Sequence, residues 1–293
     1  MNLNIGKLGV WYFFDKLSAT ESAKAAKRIE NLGYSTLWIP ETIGKSPFVQ
    51  SSWLLANTKT LNLATGIANI YHREPGVTVA AQKSLAEQSN NRFLLGIGVS
   101  HSRIVEDIRG LKYGPPLSTM KRYLAAMEEA PYTGAKPTEE PPIVIAALGP
   151  KMLELASEKT NGAHPYFTSP DHTEIARKIM GDNSWLCVEQ KVILETDPRK
   201  ARELAKPVAN TYKDLPNYRN NWIRMGLSED DIDNMSDKFI DTTFAWGTEQ
   251  NIRRRIDEHF DAGANHVSIQ PVNTNGKLSE LDWDCLELLS PNS

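Results

Sequence analysis

Three stretches of the chain share one pattern of hydrophobic and polar positions: an amphipathic helix, then a glycine, then a short apolar strand. The glycines are Gly33, Gly162 and Gly263, and β-branched or aromatic residues follow each of them. Hydrophobic residues that recur every three to four positions predict a helix with one buried face. A glycine after such a helix is typical of an end that turns through a left-handed residue. The pattern therefore predicts three repeated helix–strand units.

Other apolar runs lack the alternation of a half-exposed strand, among them "KLGVWYFF", "LNLATGI", "RFLLGIGV", "PPIVIAAL" and "WLCVEQKVIL". Continuous runs of this kind predict strands that are covered on both faces, and hence a parallel sheet with crossover helices. The predicted strands lie near residues 7–14, 35–39, 61–68, 92–99, 142–148, 163–167, 185–195 and 266–271. The predicted helices lie near 19–32, 48–57, 78–89, 118–130, 150–160, 171–180, 198–212, 250–262 and 279–289.

Eight strands that alternate with helices in 293 residues predict an α/β fold, a (β/α)8 TIM barrel with insertions rather than a doubly wound sheet. We expect one domain over residues 1–293. Two segments interrupt the rhythm, a long loop at 100–117 and a helical insertion at 213–245 with two helical pieces. Long connections in compact folds are often lids or binding loops. Ser18 and Glu21 predict a capping box at the first helix.

Composition and charge exclude several classes of function. The formal net charge is −3, which gives no electrostatic reason to expect nucleic acid or an anionic membrane as partner. Cys187 and Cys285 are too few for a disulfide framework and lack metal-ligand spacing, which favours two thiols in a reducing cytoplasm. The apolar run after Lys7 stops at Asp15, too early for a signal peptide or a membrane span. We therefore expect a cytoplasmic protein with a small-molecule substrate and no metal.

The ends of the predicted strands supply the candidate site, because chemistry in such a barrel gathers at the C-terminal ends of its strands. These ends are rich in glycine and aromatic residues and poor in carboxylates, and they suit a flat heteroaromatic cofactor. The segment "ALGPKM" leaves strand five through Gly149 into a helix. The first N–H groups of that helix, with Lys151 nearby, could hold an anion. A plain helix cap explains the same residues.

Four segments carry a resemblance to a known family: "LATGIANIYHREP", "LLGIGVSH", "AALGPKMLELASEKTNGAHPYFTSPDH" and "WGTEQNIRRRIDEHFDAGANHVSIQ". Together they resemble the bacterial luciferase-like superfamily, and most closely its branch of deazaflavin (coenzyme F-420)-dependent oxidoreductases. The similarity extends from Gly9 to Gln270. It implies a homodimer that binds FMN or coenzyme F-420 at the C-terminal face of the barrel. It also implies a non-prolyl cis peptide that bulges against the cofactor's middle ring, here between Gly66 and Ile67.

The resemblance assigns cofactor contacts by position. The residues expected to contact the ring and its carbonyl edge are Gly66, Ile67, Ala68 and Asn69. Those expected near the ring or the ribityl chain are Gly98, Val99 and Ser100. Those expected at the ribityl and phosphate end are Ala147, Leu148, Gly149, Lys151, Met152, His164 and Pro165. Arg73 would reach a phosphate or the polyglutamyl tail, or else pair with a carboxylate. His72 and His164 are expected to support structure or cofactor position rather than chemistry.

Two residues are candidates for proton transfer. Sugar-phosphate dehydrogenases of the branch have a histidine after strand two, where this chain has Thr42, and a glutamate after strand four, where it has His101. His101 is the first candidate, because imidazole donates and accepts protons near neutral pH, although a rim histidine explains it equally. Glu41 is the second candidate. Three functions stay open: hydride transfer between coenzyme F-420 and an organic substrate, FMN-dependent monooxygenation with a reductase partner, and a flavin-free binding protein.

Overall fold

The computed structural model describes residues 3–273 and 280–292. The strands of this part of the chain are β1 (Leu8–Trp11), β2 (Thr36–Ile39), β3 (Asn62–Thr65), β4 (Ala68–Asn69), β5 (Phe93–Gly98), β6 (Ile143–Ile145), β7 (Gly162–Ala163), β8 (Trp185–Ile193), β9 (Phe244–Trp246) and β10 (His266–Pro271). The helices are α1 (Ala19–Asn31), α2 (Pro47–Asn57), α3 (Pro75–Gln88), α4 (Pro116–Glu129), α5 (Pro150–Lys159), α6 (Pro170–Met180), α7 (Pro198–Tyr212), α8 (Pro216–Arg224), α9 (Glu229–Asp233), α10 (Asp237–Thr243), α11 (Glu249–Asp261) and α12 (Trp283–Leu288).

Eight of the strands close into a parallel barrel, as the sequence predicts. The ring order is β1, β2, β3, β5, β6, β7, β8 and β10, and β10 pairs with both β8 and β1. Val10 is in register with Ile269, which is in register with Gln190. The short strand β4 resumes β3 and pairs with β5, and β9 pairs with the last residues of β8. The prediction of a (β/α)8 barrel is confirmed.

Neighbouring residues of β1, β2, β3, β5 and β6 belong to two separate hydrophobic cores. One core joins the strands to the surrounding helices through residues such as Val10, Leu37, Leu63, Leu95 and Ile145. The other fills the barrel and continues into the insertion, with residues such as Trp11, Trp38, Ala64, Leu94 and Val144. Successive side chains of a strand point to opposite faces, and here both faces are buried. This double burial is the reason that the apolar runs in the sequence are continuous.

Local signals at the helix ends are confirmed in two of the three repeats. Ser18 and Glu21 form the predicted capping box on α1. Gly33 and Gly263 have left-handed φ angles of +86° and +100°. The same expectation for Gly162 is wrong, because this residue opens β7. A Cβ there would lie 2.0 Å from the carbonyl oxygen of Trp185, so the glycine allows close approach between two backbones.

Several strand predictions are too long. The predicted strand at 61–68 is interrupted after Thr65, and the Gly66–Ile67 peptide bond is cis, as the resemblance implies. The predicted strand at 163–167 reduces to the two residues of β7, because Pro165 lacks an N–H group and Phe167 has a φ of +59°.

The irregular segments also differ from the predictions. The insertion at 213–245 contains three helices rather than two helical pieces, and β9 overlaps its end. The sequence reasoning missed β9 because three residues give no periodicity. The loop at 100–117 contains a π-helical turn at Arg103–Ile108, and its last two residues already belong to α4. The predicted helix at 279–289 begins at a residue outside the described ones, and the structure has α12 within it.

The insertion is fixed over the barrel mouth by one tryptophan. The indole N–H of Trp222, in α8, donates to the carbonyl oxygen of Phe167 at 3.1 Å. The two rings lie edge to face at 5.1 Å, and Phe239 of α10 packs against the other side of Trp222 at 4.8 Å. Because Phe167 belongs to the loop that leaves β7, helices α8 and α10 are anchored at the C-terminal ends of the strands.

Closure of the barrel predicts that Gly96 tolerates no side chain. A Cβ at Gly96 would lie 2.0 Å from the carbonyl oxygen of Thr65 on the neighbouring strand, so Gly96→Ala should lower the free energy of unfolding by about 2–3 kcal/mol. Gly149→Ala is the matched control, because its φ is −89° and the nearest atom to the new Cβ is 3.7 Å away. Urea denaturation of both variants checks this, and equal stability would contradict it.

Candidate active site

Three small residues form a floor inside the barrel mouth, which we call the small-residue floor: Gly66 after β3, Gly98 at the end of β5 and Ala146 after β6. A Cβ at Gly98 would lie 2.7 Å from the side chain of Ile67 and 3.1 Å from the Cβ of Ala146. A Cβ at Gly66 would lie 2.5 Å from the indole nitrogen of Trp11. Gly66 and Gly98 are themselves buried, so the absence of side chains lets the backbone here pack closely against Trp11 and Ile67.

His164 presents an unpartnered acceptor next to this floor. Its Nδ1–H donates to the carbonyl oxygen of Cys187 at 2.7 Å, and its ring stacks on Trp38 at 4.1 Å. Nε2 therefore carries a lone pair, and it has no partner among the described residues although His164 is 1% exposed. Burial lowers the pKa of His164 to about 3, so the ring stays neutral. A Cβ at Gly66 would lie 3.2 Å from Nε2, which places this acceptor beside the floor.

A buried ion pair occupies the side of the mouth opposite β3. Glu189 and Lys191 are two positions apart on β8 and point to the same side, with Nζ 3.1 Å from Oε2. Both side chains are fully buried, and the backbone N–H of Phe167 donates to Oε2 at 2.9 Å. The ammonium lies 3.7 Å from the ring centre of Tyr166. Burial lowers the pKa of Lys191 to about 8 and raises the pKa of Glu189.

A chain of hydrogen bonds and ring contacts joins this side to the floor. The hydroxyl of Tyr166 donates to Oε1 of Gln270 at 2.8 Å, so the hydroxyl of Tyr212, 2.9 Å away, donates to Tyr166. Nε2 of Gln270 is buried and has no partner among the described residues. The ring of Trp11 lies 4.8 Å from that of Tyr166, and its indole N–H donates to the carbonyl oxygen of Gly66 at 3.1 Å.

His101 lies where the loop after β5 meets the insertion. Asn217 of α8 forms a hydrogen bond with its imidazole, and the ring of Tyr218 lies 5.6 Å away. Burial lowers the pKa of His101 more than the Asn217 bond raises it, so the imidazole is neutral at pH 7. Ser100 and Phe167 have left-handed φ angles of +55° and +59°. Such backbone costs about 1–2 kcal/mol per residue and clusters at functional sites.

Glu41 is bound on all sides. Arg73 donates to both carboxylate oxygens at 2.8 and 2.5 Å, His72 lies 3.0 Å from Oε1, and the backbone N–H of Asn69 donates to Oε2 at 2.7 Å. Burial would raise the pKa of Glu41, but the bonds from Arg73, Asn69 and His72 outweigh it and lower the pKa. The carboxylate is ionised and fixes the β4 backbone. This geometry favours a structural role for Glu41 and pairs Arg73 with a carboxylate.

An open cavity of about 510 Å³ adjoins this cluster. It is lined by residues 41–46, residues 71–73, Arg109 and Leu111. Glu41 and Arg73 form an ion pair, and Lys45 and Arg109 add two further cations to the lining. The wall of the cavity is therefore cationic toward solvent. Glu41 connects the cavity to the small-residue floor, since its N–H donates to the carbonyl oxygen of Ile67 at 3.1 Å.

The anion site predicted at the start of α5 stays a prediction. Gly149 is the N-cap and offers no side-chain bond; Pro150 has no N–H, and the N–H groups of Met152 and Leu153 donate to the carbonyl oxygen of Gly149, which leaves the backbone N–H of Lys151 for a ligand. Lys151 is exposed and Met152 half-buried in this turn. The carbonyl oxygen of Leu148 accepts a bond from Nε2 of His172, the third residue of α6, at 2.9 Å. The structure thus joins the starts of two successive helices at this end of the barrel.

The structure brings most of the predicted cofactor residues to one half of the mouth. Pairing of β4 with β5 and of β5 with β6 unites the segments 66–69, 98–100 and 146–149. Ile67, Val99, Ser100 and Leu148 are half-buried, whereas Ala68, Ala147, His164 and Pro165 are buried. The side chain of Asn69 bonds the N–H of Tyr71 and the ring of His72, which leaves it little freedom to bind a ligand. The assignment of these residues as cofactor contacts stays a prediction.

The sequence reasoning missed the polar half of the mouth. Glu189 and Lys191 stand two apart within an otherwise apolar strand, and this spacing on a buried strand is a signal that both charges face the barrel interior. Tyr212 and Tyr218 gave no such signal, because they belong to helices whose position over the barrel depends on tertiary packing. In the part of the chain that the structure describes, no group of three or more histidine, cysteine, aspartate or glutamate residues could hold a metal ion.

Comparisons with known proteins agree with this architecture. A family model described as luciferase-like monooxygenase matches residues 14–266. The chain is similar to a 5,10-methylenetetrahydromethanopterin reductase of Archaeoglobus fulgidus, with 26% identity over 86% of this chain and 90% of the relative. The same enzyme of Methanolobus tindarius is 31% identical over 53% of each chain. A putative coenzyme F-420-dependent oxidoreductase of Mycobacterium tuberculosis is 27% identical over 56% of this chain and 55% of the relative. The chain thus spans about half the length of the last two relatives.

Two solved structures show the same fold at low sequence identity. The coenzyme F-420-dependent tetrahydromethanopterin reductase of Methanopyrus kandleri superposes with a TM-score of 0.72 and 17% identity, over 97% of both chains. The oxygenating constituent of 3,6-diketocamphane monooxygenase from Pseudomonas putida, in complex with FMN, superposes with a TM-score of 0.70 and 14% identity, over 97% of both chains. No helix within residues 3–273 and 280–292 is long and apolar enough to cross a bilayer.

The Glu41 cluster predicts a stability effect that depends on pH. Glu41→Gln leaves the guanidinium of Arg73 without its counter-ion, so the free energy of unfolding at pH 7 should fall by about 2–4 kcal/mol. The pKa of Glu41 is lowered in the folded state. The stabilisation is therefore present above the unfolded pKa of about 4.3 and is lost as the pH falls through the folded pKa.

Urea denaturation of wild type and variant at pH 7 and at decreasing pH checks this, and the difference should shrink in acid. Glu87→Gln is the control, because Glu87 is exposed on α3. An equal effect of both substitutions would contradict the structural role of Glu41.

Proposed function

Because the chain belongs to the luciferase-like monooxygenase family and is an oxidoreductase of that kind, we propose that it transfers hydride between coenzyme F-420 and a small organic substrate. The small-residue floor, with the unpartnered Nε2 of His164 beside it, carries the proposal. The names of the relatives support the choice of cofactor: two are methylenetetrahydromethanopterin reductases, and one is a putative coenzyme F-420-dependent oxidoreductase.

The residues present fit a flat ring with a polar edge and an anionic tail. We place the flat ring over the backbone near Gly66 and Gly98, where the neighbouring side chains of Trp11 and Ile67 already occupy the space that a larger residue would need. Nε2 of His164 would accept a hydrogen bond from a ring N–H, and Nε2 of Gln270 would donate one to a ring carbonyl, which gives partners to two buried polar atoms. The uncapped start of α5 at Gly149 would hold the phosphate.

The chain's own residues would position the substrate and move a proton. When bound, the deazaflavin supplies or accepts the hydride. His101 is neutral at pH 7, so its imidazole is ready to take a proton from a substrate hydroxyl as the hydride leaves. In the reverse direction the protonated ring would return that proton. Tyr218 and Asn217 of α8 hold the imidazole and cover it from solvent. Glu41 keeps its place as the second candidate only if His101 proves dispensable.

An FMN-dependent monooxygenase is the second candidate function. The match to a family model described as luciferase-like monooxygenase favours it, and the floor would accept FMN as readily as a deazaflavin. This function needs a separate reductase as partner. The homodimer, the reductase and the cytoplasmic location stay predictions. The outward side of α2 is consistent with a dimer, since the helix has no charged residue and exposes Val49 and Trp53.

Cofactor titration tests the proposal directly. Purified protein should quench the fluorescence of coenzyme F-420 with a micromolar or lower dissociation constant and bind FMN more weakly. Tight binding of FMN alone would favour the monooxygenase, and binding of neither would leave a flavin-free binding protein. Gly149→Leu gives the matched test of the phosphate end. It should weaken binding far more than it lowers the melting temperature, whereas equal losses would reduce Gly149 to a helix cap.

His101→Ala should leave cofactor affinity nearly unchanged and lower turnover by about 10²–10⁴-fold, the usual contribution of a general acid or base. His101→Gln should be almost as slow, because an amide cannot carry the proton. The pKa of His101 is lowered by burial, so a base at this position loses activity as the pH falls through a value below its usual 6.5.

Steady-state rates between pH 5 and 8, followed by cofactor absorption with a set of alcohols, ketones and imines, check the His101 prediction. If His101→Gln keeps the normal rate and the same acid limb, His101 is a rim residue, and Glu41→Gln becomes the variant to measure.

A further inference from the structure

Arg224, the last residue of α8, stands in front of the first turn of α5. A Cβ built on Gly149 would lie 3.7 Å from its Nη2, and no other described atom outside the neighbouring residues comes within 4 Å of that position. Gly149 provides no side-chain cap for the first N–H groups of α5. The guanidinium of Arg224 thus lies beside the helix start at which the backbone N–H of Lys151 is left for a ligand, because Pro150 has no N–H and those of Met152 and Leu153 donate to Gly149.

This guanidinium has no counter-ion among the described residues. Its hydrogen bond goes to the neutral Oδ1 of Asn221 at 3.2 Å. Arg219 of the same helix differs, because Glu229 and Asp233 bind it and raise its pKa. Arg224 is exposed as a residue, and the partial burial of its guanidinium lowers its pKa. A helix start carries partial positive charge, so a second positive group there is unfavourable unless an anion lies between them.

Three buried polar atoms at the start of α6 also have no partner within the part of the chain that the structure describes. They are Oγ1 of Thr168, Oγ of Ser169 and Nδ1 of His172, whose residues are 0%, 1% and 2% exposed. His172 joins this group to the α5 start through its bond to the carbonyl oxygen of Leu148. Burial lowers the pKa of His172 to about 4, against the bond to Leu148, and the charge of Arg224 lowers it further. Two helix starts, one guanidinium and several unpartnered polar atoms therefore converge.

We propose that Arg224 binds the phosphate group of the flavin or deazaflavin cofactor together with the first turn of α5, and so makes the insertion part of the cofactor site. The inference rests on the proposed function, which supplies the phosphate. Trp222 fixes α8 against Phe167, so Arg224 reaches the phosphate from a rigid helix rather than from a loop. Arginine suits this role because its planar group donates two parallel hydrogen bonds to a phosphate. The enzyme then distinguishes phosphorylated cofactors from their phosphate-free forms through a residue of its insertion.

Two pairs of ligands report on the phosphate: FMN and riboflavin differ by the phosphate alone, whereas coenzyme F-420 and its deazariboflavin differ by the phosphate and the polyglutamyl tail. Binding is measured by fluorescence quenching, without turnover. In whichever pair binds, Arg224→Ala should raise the dissociation constant of the phosphorylated ligand by about tenfold, the lower end expected for a charge-assisted hydrogen bond at an exposed site. The dissociation constant of the phosphate-free ligand should stay unchanged. Arg224→Lys should lose less affinity for the phosphorylated ligand. Arg219→Ala, which removes a cation from the same helix, should change the affinity for neither ligand of the pair.

The outcomes separate this inference from the proposed function. If wild type binds a phosphorylated cofactor and Arg224→Ala weakens both members of the pair equally, or neither, the role of Arg224 is refuted and the proposed function stands. If wild type binds none of the four ligands, both fail together. Melting temperatures of the variants, measured without ligand, show whether Arg224→Ala has disturbed the fold. Arg224→Lys supplies the comparison if it has.

Discussion

The interior of an eight-stranded barrel is just wide enough for side chains to fill, and most features of this molecule follow from how that space is divided. Trp11, Tyr166 and Lys191 fill one side of the mouth. On the other side, β3, β5 and β6 end in Gly66, Gly98 and Ala146. The indole of Trp11 reaches across to Gly66 and donates to its carbonyl oxygen, so the small residues allow close packing at this half of the mouth. Among the described residues, Nε2 of His164 beside the floor and Nε2 of Gln270 on the polar side are buried without partners.

Two ion pairs fix the backbone around the mouth of the barrel. Glu41 with Arg73 fixes the backbone that follows the interruption of β3, and Glu189 with Lys191 fixes the loop after β7 through Phe167. Buried ion pairs contribute little net stability, because desolvation offsets most of the attraction between the charges. Their effect here is positional, since each pair also accepts a backbone N–H at the rim of the barrel. The insertion depends on the second of these anchors, because Trp222 packs on Phe167.

The sequence predicts the barrel well because burial on both faces of each strand leaves a continuous apolar run, and the helices carry clear periodicity and caps. It predicts the position of the floor as well, since glycines at strand ends are visible as residues. It predicts neither the polar side of the mouth nor the way the helices of the insertion lie over it. Glu189 and Lys191 stand two apart on one strand, a signal that the prediction did not use. Whether Arg224 meets Gly149 depends on contacts between segments far apart in the chain. Gly162 shows the same limit: its place after a helix suggests a cap, whereas the neighbouring strand requires the glycine.

The cavity beside Glu41 offers a competing place for a ring, since it is open, about 510 Å³ in volume and lined by Lys45 and Arg109. A crystal structure of the protein soaked with coenzyme F-420, and separately with FMN, decides between the two. The account predicts electron density for the ring over Gly66, Gly98 and Ala146, with its polar edge toward Nε2 of His164. Density for the ring in the cavity between Thr42 and Arg109, with the small-residue floor empty, would contradict it.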